Sequence, residues 1–299
     1  MVLETNRLTK VYGRNKVVNE VNMHIDRGEI YGFIGKNGAG KTTLMKIICG
    51  LATQTSGEFR LFDSEDIDAG RANIGCVIEQ PALFPGMNGK DNLIYYAKLN
   101  GSEETTDISG LLEMVGLEKA ALLKAGKYSL GMKQRLSIAI ALLGEPEFLI
   151  LDEPMNGLDP TGIHEFRELF LSLKNRGITL LISSHILGEL EKIATKYGII
   201  NQGILADEFT ADELAKRLQK YLRIRVDDTE RAVSLIKEKW QTFEVEQAAE
   251  NMLDIYGVSE EAGLINAELN KEGIEVSYLA MAGQDMESYF LEKMGTNTD

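Results

Sequence analysis

The sequence predicts an α/β protein: a mainly parallel sheet with helices packed on it, a helical insertion, and a small α+β domain at the end. Three observations lead there. The β-rich runs at 30–34, 148–151 and 179–182 are each followed by turn residues and a helical stretch, the alternation that builds a parallel sheet. From about residue 84 to 145 the pattern is mostly helical and the strand alternation stops. Beyond about residue 206 the character changes, and the order β-α-β-β-α-β emerges, that of a ferredoxin-like unit.

In chain order, the first region runs over 1–219, with its helical subdomain at about 84–145. The second, at 220–299, opens on a strand that alternates Leu222, Ile224 and Val226 with Arg223 and Arg225. A helix near 229–240, two short strands near 243–246 and 252–256, a helix at about 259–272 stopped by Gly273, a strand through Ile274, Val276 and Tyr278, and a last helix from about 285 complete it. At 299 residues the chain is long enough for two cores.

Charge narrows the partners. Of the net −14, residues 221–299 carry −10, from 7 basic against 17 acidic side chains. Such a surface repels phosphate backbones and anionic lipid, so neither nucleic acid nor bare membrane is an expected partner. Cys49 and Cys76 have no metal-ligand spacing, and a reducing compartment is expected. The start of the chain lacks a secretory layout, and the apolar runs are too short to span a bilayer. Association with a membrane would therefore go through partner chains.

The chemistry begins at Gly35-Lys36-Asn37-Gly38-Ala39-Gly40-Lys41-Thr42, between a strand and an apolar-periodic helix. This is the G-x-x-x-x-G-K-[ST] pattern in the context a phosphate loop requires. Glycines let backbone N–H groups turn onto phosphates at the positive end of a helix. Lys41 would neutralise β- and γ-phosphates, the Thr42 hydroxyl would ligate Mg²⁺, and Thr43 continues the binding turn. The apolar run 148–151 then ends in Asp152-Glu153. Asp152 suits Mg²⁺, and Glu153 can orient a water and accept its proton. Read blandly, each motif is a glycine-rich turn or a capped strand end; together they define a P-loop NTPase.

Tyr128-Ser129-Leu130-Gly131-Met132-Lys133-Gln134-Arg135 lies just before the Asp-Glu strand and resembles the signature of ABC ATPases. Leu130 and Met132 depart from the usual LSGGQ, while Ser129 and Gly131 remain. Ser129 alone would read as a helix N-cap. Gly157-Leu158-Asp159 resembles the D-loop, and Ser183-Ser184-His185 places His185 as the switch histidine. Tyr12 matches the aromatic that stacks on adenine, though an isolated tyrosine is as often a packing residue. His24 and His164 have no motif around them and are read as surface or packing residues.

In Ile78-Glu79-Gln80-Pro81-Ala82-Leu83-Phe84-Pro85 the position expected of the Q-loop glutamine holds Glu79, with Gln80 one residue late. Both remain candidates; a carboxylate can serve as a hard oxygen ligand near Mg²⁺. This variant, the YSLGMKQRL signature and the C-terminal extension resemble the lantibiotic-immunity and bacitracin-resistance exporters. The resemblance implies an ATPase with ATP and Mg²⁺ as cofactors. It also implies a head-to-tail homodimer that holds each ATP between one copy's phosphate loop and the other's Ser129 and Gly131. Transmembrane permease partners, a peripheral place on the cytoplasmic face of the membrane, and transport of peptide antibiotics follow from the same resemblance. The alternative is a non-transport ABC ATPase acting on ribosomes or DNA. Those usually carry two cassettes in one chain, or long coiled-coil insertions, and neither is visible here.

Overall fold

The computed structural model describes residues 1–79, 83–185, 187–258, 261–283 and 286–293. The chain divides into two units, Met1–Ala211 together with the chain from Leu291, and Asp212–Phe290.

The first unit opens with strands β1 (Leu3–Tyr12), β2 (Asn15–Val21), β3 (His24–Ile25) and β4 (Ile30–Ile34) and helix α1 (Lys41–Ile48). It continues through β5 (Ser56–Leu61), α2 (Ile67–Arg71), β6 (Ile74–Val77), α3 (Gly89–Asn100), α4 (Ile108–Met114) and α5 (Leu130–Ala141). It closes with β7 (Phe148–Leu151), α6 (Pro160–Asn175), β8 (Thr179–Ser184), α7 (Leu187–Leu190), β9 (Lys196–Asn201) and β10 (Ile204–Thr210). One sheet has the order β10-β9-β4-β8-β7-β6, parallel except for β10. Its central strands β4, β7 and β8 are buried along their whole length, which is why they read as continuous apolar runs.

A second sheet goes beyond the sequence expectation of one mainly parallel sheet: β1 pairs antiparallel with β2, β3 and β5. Its hairpin turns at Gly13, whose φ of +61° suits glycine. Phe33, Phe148, Ile150 and Leu181 of the parallel sheet share one core with Leu3 and Leu8 of β1 and Leu44 and Ile47 of α1. Each such side chain stabilises the unit by roughly 1.5–3 kcal/mol. Tyr31, fully buried on β4, donates its hydroxyl to Glu208 at 2.8 Å. Burial, with Glu208 beside it, holds that hydroxyl well above the usual tyrosine range. Glu208 also bonds the His24 ring at 3.0 Å, giving that histidine a packing role.

The second unit holds α8 (Ala211–Arg217, from its second residue), β11 (Tyr221–Val226), α9 (Thr229–Lys239), β12 (Glu244–Ala249), β13 (Met252–Tyr256), α10 (Ala262–Lys271) and β14 (Val276–Ala282). α11 (Met286–Lys293) crosses its boundary. The antiparallel order β12-β13-β11-β14 is the ferredoxin-like arrangement. Leu222, Ile224 and Val226 point to a core shared with Ile236 of α9 and Ile265 and Leu269 of α10. On the other face Arg223 forks onto Asp254 with two bonds of 2.7 Å. α10 ends before Gly273, where φ is +74°. Among the described residues no helix is long and apolar enough to cross a membrane.

Candidate active site

Because β4, β7 and β8 run parallel, their C-terminal ends leave the sheet at one edge; Ile34 pairs with Ser184 and Leu151 with Ile182. That edge of an open α/β sheet is where ligands bind. Three segments therefore converge: the glycine-rich loop after β4, Asp152-Glu153 after β7, and His185 after β8.

The loop is fixed by two close approaches. A Cβ at Gly35 would lie 2.5 Å from the Ile200 carbonyl oxygen, and one at Gly40 would lie 2.4 Å from that of Val17. Gly40 also has a φ of +110° and starts α1 without a side-chain cap. The first N–H groups of α1 are thus left to face an anion. A cavity of about 140 Å³ opens here, lined by Lys36, Asn37, Gly38, Gly40, Lys41, Thr42 and Thr43 of the loop, with Val17 and Glu153. Gly35 and Ala39 lie behind this surface and shape it.

The side chains form a chain of bonds. Thr42 Oγ1 donates to Asp152 Oδ2 at 2.6 Å, and Ser183 Oγ donates to Asp152 Oδ1 at 2.6 Å. The Ser183 hydroxyl in turn accepts the Glu153 N–H at 2.8 Å. Glu153 Oε2 faces His185 Nδ1 at 2.7 Å, and its Oε1 accepts no hydrogen bond but lies 3.3 Å from Lys41 Nζ. Lys41 also donates to the Gly35 carbonyl at 2.5 Å. Glu153 has a φ of +50°, a backbone state that costs on the order of 1–3 kcal/mol for a residue other than glycine.

Thr42 and Asp152 offer two adjacent hard oxygens, which fit Mg²⁺. Among the described residues no group of three or more carboxylate, imidazole or thiol side chains could hold a metal. Such an ion would draw its other ligands from phosphate and water. Glu79 is not brought to this pair. Its carboxylate is mostly exposed and accepts a hydrogen bond from Lys46 Nζ at 2.5 Å, and its φ is +64°. Gln80 lies outside the described residues.

The signature elements form a separate group. Ser129 caps α5, its Oγ accepting the Met132 N–H at 3.2 Å. A Cβ on Gly131 would sit 3.3 Å from Leu158, and one on Gly157 would sit 3.0 Å from Leu130. Gln134 donates to the Asn156 carbonyl at 3.3 Å. The signature thus rests on the loop that leads to Asp159, which caps α6 by accepting the Gly162 N–H at 3.0 Å. None of Ser129, Gly131 and Asp159 lines the cavity. Tyr12, half exposed at the β1–β2 hairpin with Lys10 Nζ 4.8 Å from its ring centre, does not line it either. No motif marks Val17, a cavity wall, and none assigns a role to Ser183, the bridge between the two acids. Ser183 carried one faint signal: a hydroxyl closing an otherwise apolar strand.

Comparison with known proteins gives one consistent result. The family model for ABC transporter matches residues 18–156. The bacitracin transport ATP-binding protein BcrA of Bacillus licheniformis is 40% identical over 99% of this chain and 98% of its own length. The lantibiotic transport ATP-binding protein SrtF of Streptococcus pyogenes is 44% identical over 73% of this chain and 95% of its own. Among solved structures, an ATP binding subunit of an ABC transporter superposes with a TM-score of 0.63 at 29% identity, covering 72% of this chain and 92% of that one. A cassette solved as a dimer in a post-hydrolysis state with ADP and Pi gives 0.62 at 25%, covering 70% and 98%.

Proposed function

We propose, for a chain that belongs to the ABC transporter family, that it powers an exporter of membrane-active peptide antibiotics of the bacitracin or lantibiotic kind. The chain is an ATP-binding ATPase of that family. The observation that carries the mechanism is the bonded series from Thr42 through Asp152, Ser183 and Glu153 to His185 and Lys41. The export reading is supported by the 40% identity that extends over both units to a bacitracin transport protein.

In this reading the loop N–H groups and Lys41 receive the β- and γ-phosphates, and Lys41 exchanges the Gly35 carbonyl for phosphate oxygen. Thr42 and Asp152 would hold Mg²⁺, which when bound neutralises charge on the phosphates. Glu153 orients the attacking water and takes its proton. His185 steadies the outer oxygen of Glu153 and faces the γ-phosphate. Ser129 and Gly131, remote from their own chain's cavity, serve the ATP of a second copy, and Asp159 lies on the loop beneath them. Tyr12 offers an open ring face to adenine. Permease chains, reached through the Glu79 region and the helical subdomain, take up the motion at the cytoplasmic face of the membrane.

Deleting the gene in cells that keep the partner permease tests this. Tolerance to bacitracin or a lantibiotic should fall and return with the wild-type chain but not with Glu153→Gln. Unchanged tolerance on deletion overturns the substrate class and leaves the ATPase standing.

A further inference from the structure

We infer that β14 is a docking edge: it pairs antiparallel with the β14 of a second copy and joins two chains in the absence of nucleotide. In the order β12-β13-β11-β14 its strand neighbour is β11, and among the described residues no strand lies on its other side. The outer N–H and C=O groups of such an edge template pairing with another chain unless charge, proline or a bulge guards them. β14 reads Val276-Ser277-Tyr278-Leu279-Ala280-Met281-Ala282, without a charge or a proline. Its pairing with β11 slips at Ser277 and is regular from Tyr278 to Ala282, which leaves that stretch as an unguarded edge.

The edge is apolar on both faces. Leu279 and Met281 pair with Ile224 and Leu222 on the face that carries the helices, yet 38% and 46% of their surface is exposed. Tyr278 pairs with Arg225 on the other face and is 45% exposed. An antiparallel pair centred on Ala280 sets Leu279 against Met281 of the second copy, twice by symmetry, and Tyr278 against the small Ala282. Directly opposed side chains in a sheet approach to about 5 Å, so one contact covers the exposed apolar groups of both copies.

Charge selects that occupant. Residues 221–299 carry −10, and the opposite edge, β12, presents exposed Glu244 and Glu246. Pairing β12 with β12 sets like charges against one another, which destabilises a sheet. Pairing β12 with β14 leaves those carboxylates beside apolar side chains and does not close, so chains add without end. β14 with β14 closes at two copies and holds the acidic edges at the far ends of one continuous sheet. The pairing stands apart from the ATPase reading, but its use rests on that reading. Where each ATP lies between two copies, as proposed, a standing pair raises the effective concentration of the second cassette.

The test is sedimentation velocity of the full chain at micromolar concentration with EDTA and no nucleotide, which removes any nucleotide-held contact. The wild type should sediment as a dimer. Leu279→Lys and Met281→Glu, each shown to be folded by circular dichroism, should each sediment as monomers. An equimolar mixture of the two should return to a dimer, because the register sets the new ammonium against the new carboxylate. Gln247→Lys, on the β12 edge, should stay dimeric. A monomeric wild type or open-ended assemblies would overturn the pairing, whether or not the variants fold. Folded variants that stay dimeric, a mixture that stays monomeric, or a monomeric Gln247→Lys would overturn it too. On dilution, turnover per chain should hold for the wild type and fall severalfold for Leu279→Lys. Equal loss in both would overturn the tethering role, whereas no turnover in either at any concentration would count against the ATPase reading and leave the pairing to the sedimentation result.

Discussion

Lys41, Thr42, Asp152, Glu153 and His185 lie in one bonded series at an edge of the parallel sheet, whereas Ser129 and Gly131 sit at an exposed helix start. On the first side Lys41 is buried, and the half-buried acids are held by Thr42, Ser183 and His185. A nucleotide then enters among groups already aimed, at little cost in reorganisation. On the second side Ser129 Oγ accepts the Met132 N–H of its own helix. In the proposed reading those groups meet a phosphate when a second copy brings one. On the proposed function, one side is complete in a single chain and the other is half of a contact; a cassette similar to this chain has been solved as a dimer with ADP and Pi.

The largest effect is expected at the complete side. Glu153→Gln should lower ATP hydrolysis about 100-fold or more, because the water loses its base. ATP binding should persist and a dimer should accumulate in size-exclusion chromatography; near-normal turnover would remove Glu153 from its role. The exposed side comes next. Gly131→Asp places a carboxylate where a phosphate is to arrive, and Cβ at that point already meets Leu158. Turnover should drop about tenfold, or roughly 1.4 kcal/mol, while equilibrium ATP binding to the single chain stays as it was. Loss of that binding would mean the two sides are not separate.

A smaller effect is expected at Glu79, whose carboxylate reaches Lys46 rather than Thr42 or Asp152. Glu79→Ala should impair antibiotic tolerance more than ATP affinity, with Gln80→Ala as the paired control. If only the Gln80 variant lost tolerance, the Q-loop role would pass to it. The smallest effect concerns the ferredoxin-like unit. A chain ending at Gln219 should bind ATP within about twofold of the full chain, since 0.4 kcal/mol is all that twofold represents. SrtF, matched along 95% of its length by 73% of this chain, has little room for a second unit. A folded truncated chain that no longer bound ATP, judged by circular dichroism and nucleotide titration, would join the two units functionally.

By itself the sequence determined what is local. Apolar runs marked β4, β7 and β8, alternation marked β11, and the glycine pattern marked a loop whose φ of +110° at Gly40 suits glycine. Ser129 was legible as a cap because a hydroxyl three residues before a helical N–H needs no tertiary partner. Motif order supplied the rest of the site by resemblance. Only the tertiary structure decided which groups touch. Thr42 and Asp152 meet across 110 residues of chain because the sheet order places β7 two strands from β4. Ser183 becomes a bridge, Val17 a wall and Glu79 a partner of Lys46 for the same reason. Periodicity and turn chemistry act over a few residues, whereas contacts of this kind depend on strand order and on which sheet edge each loop leaves.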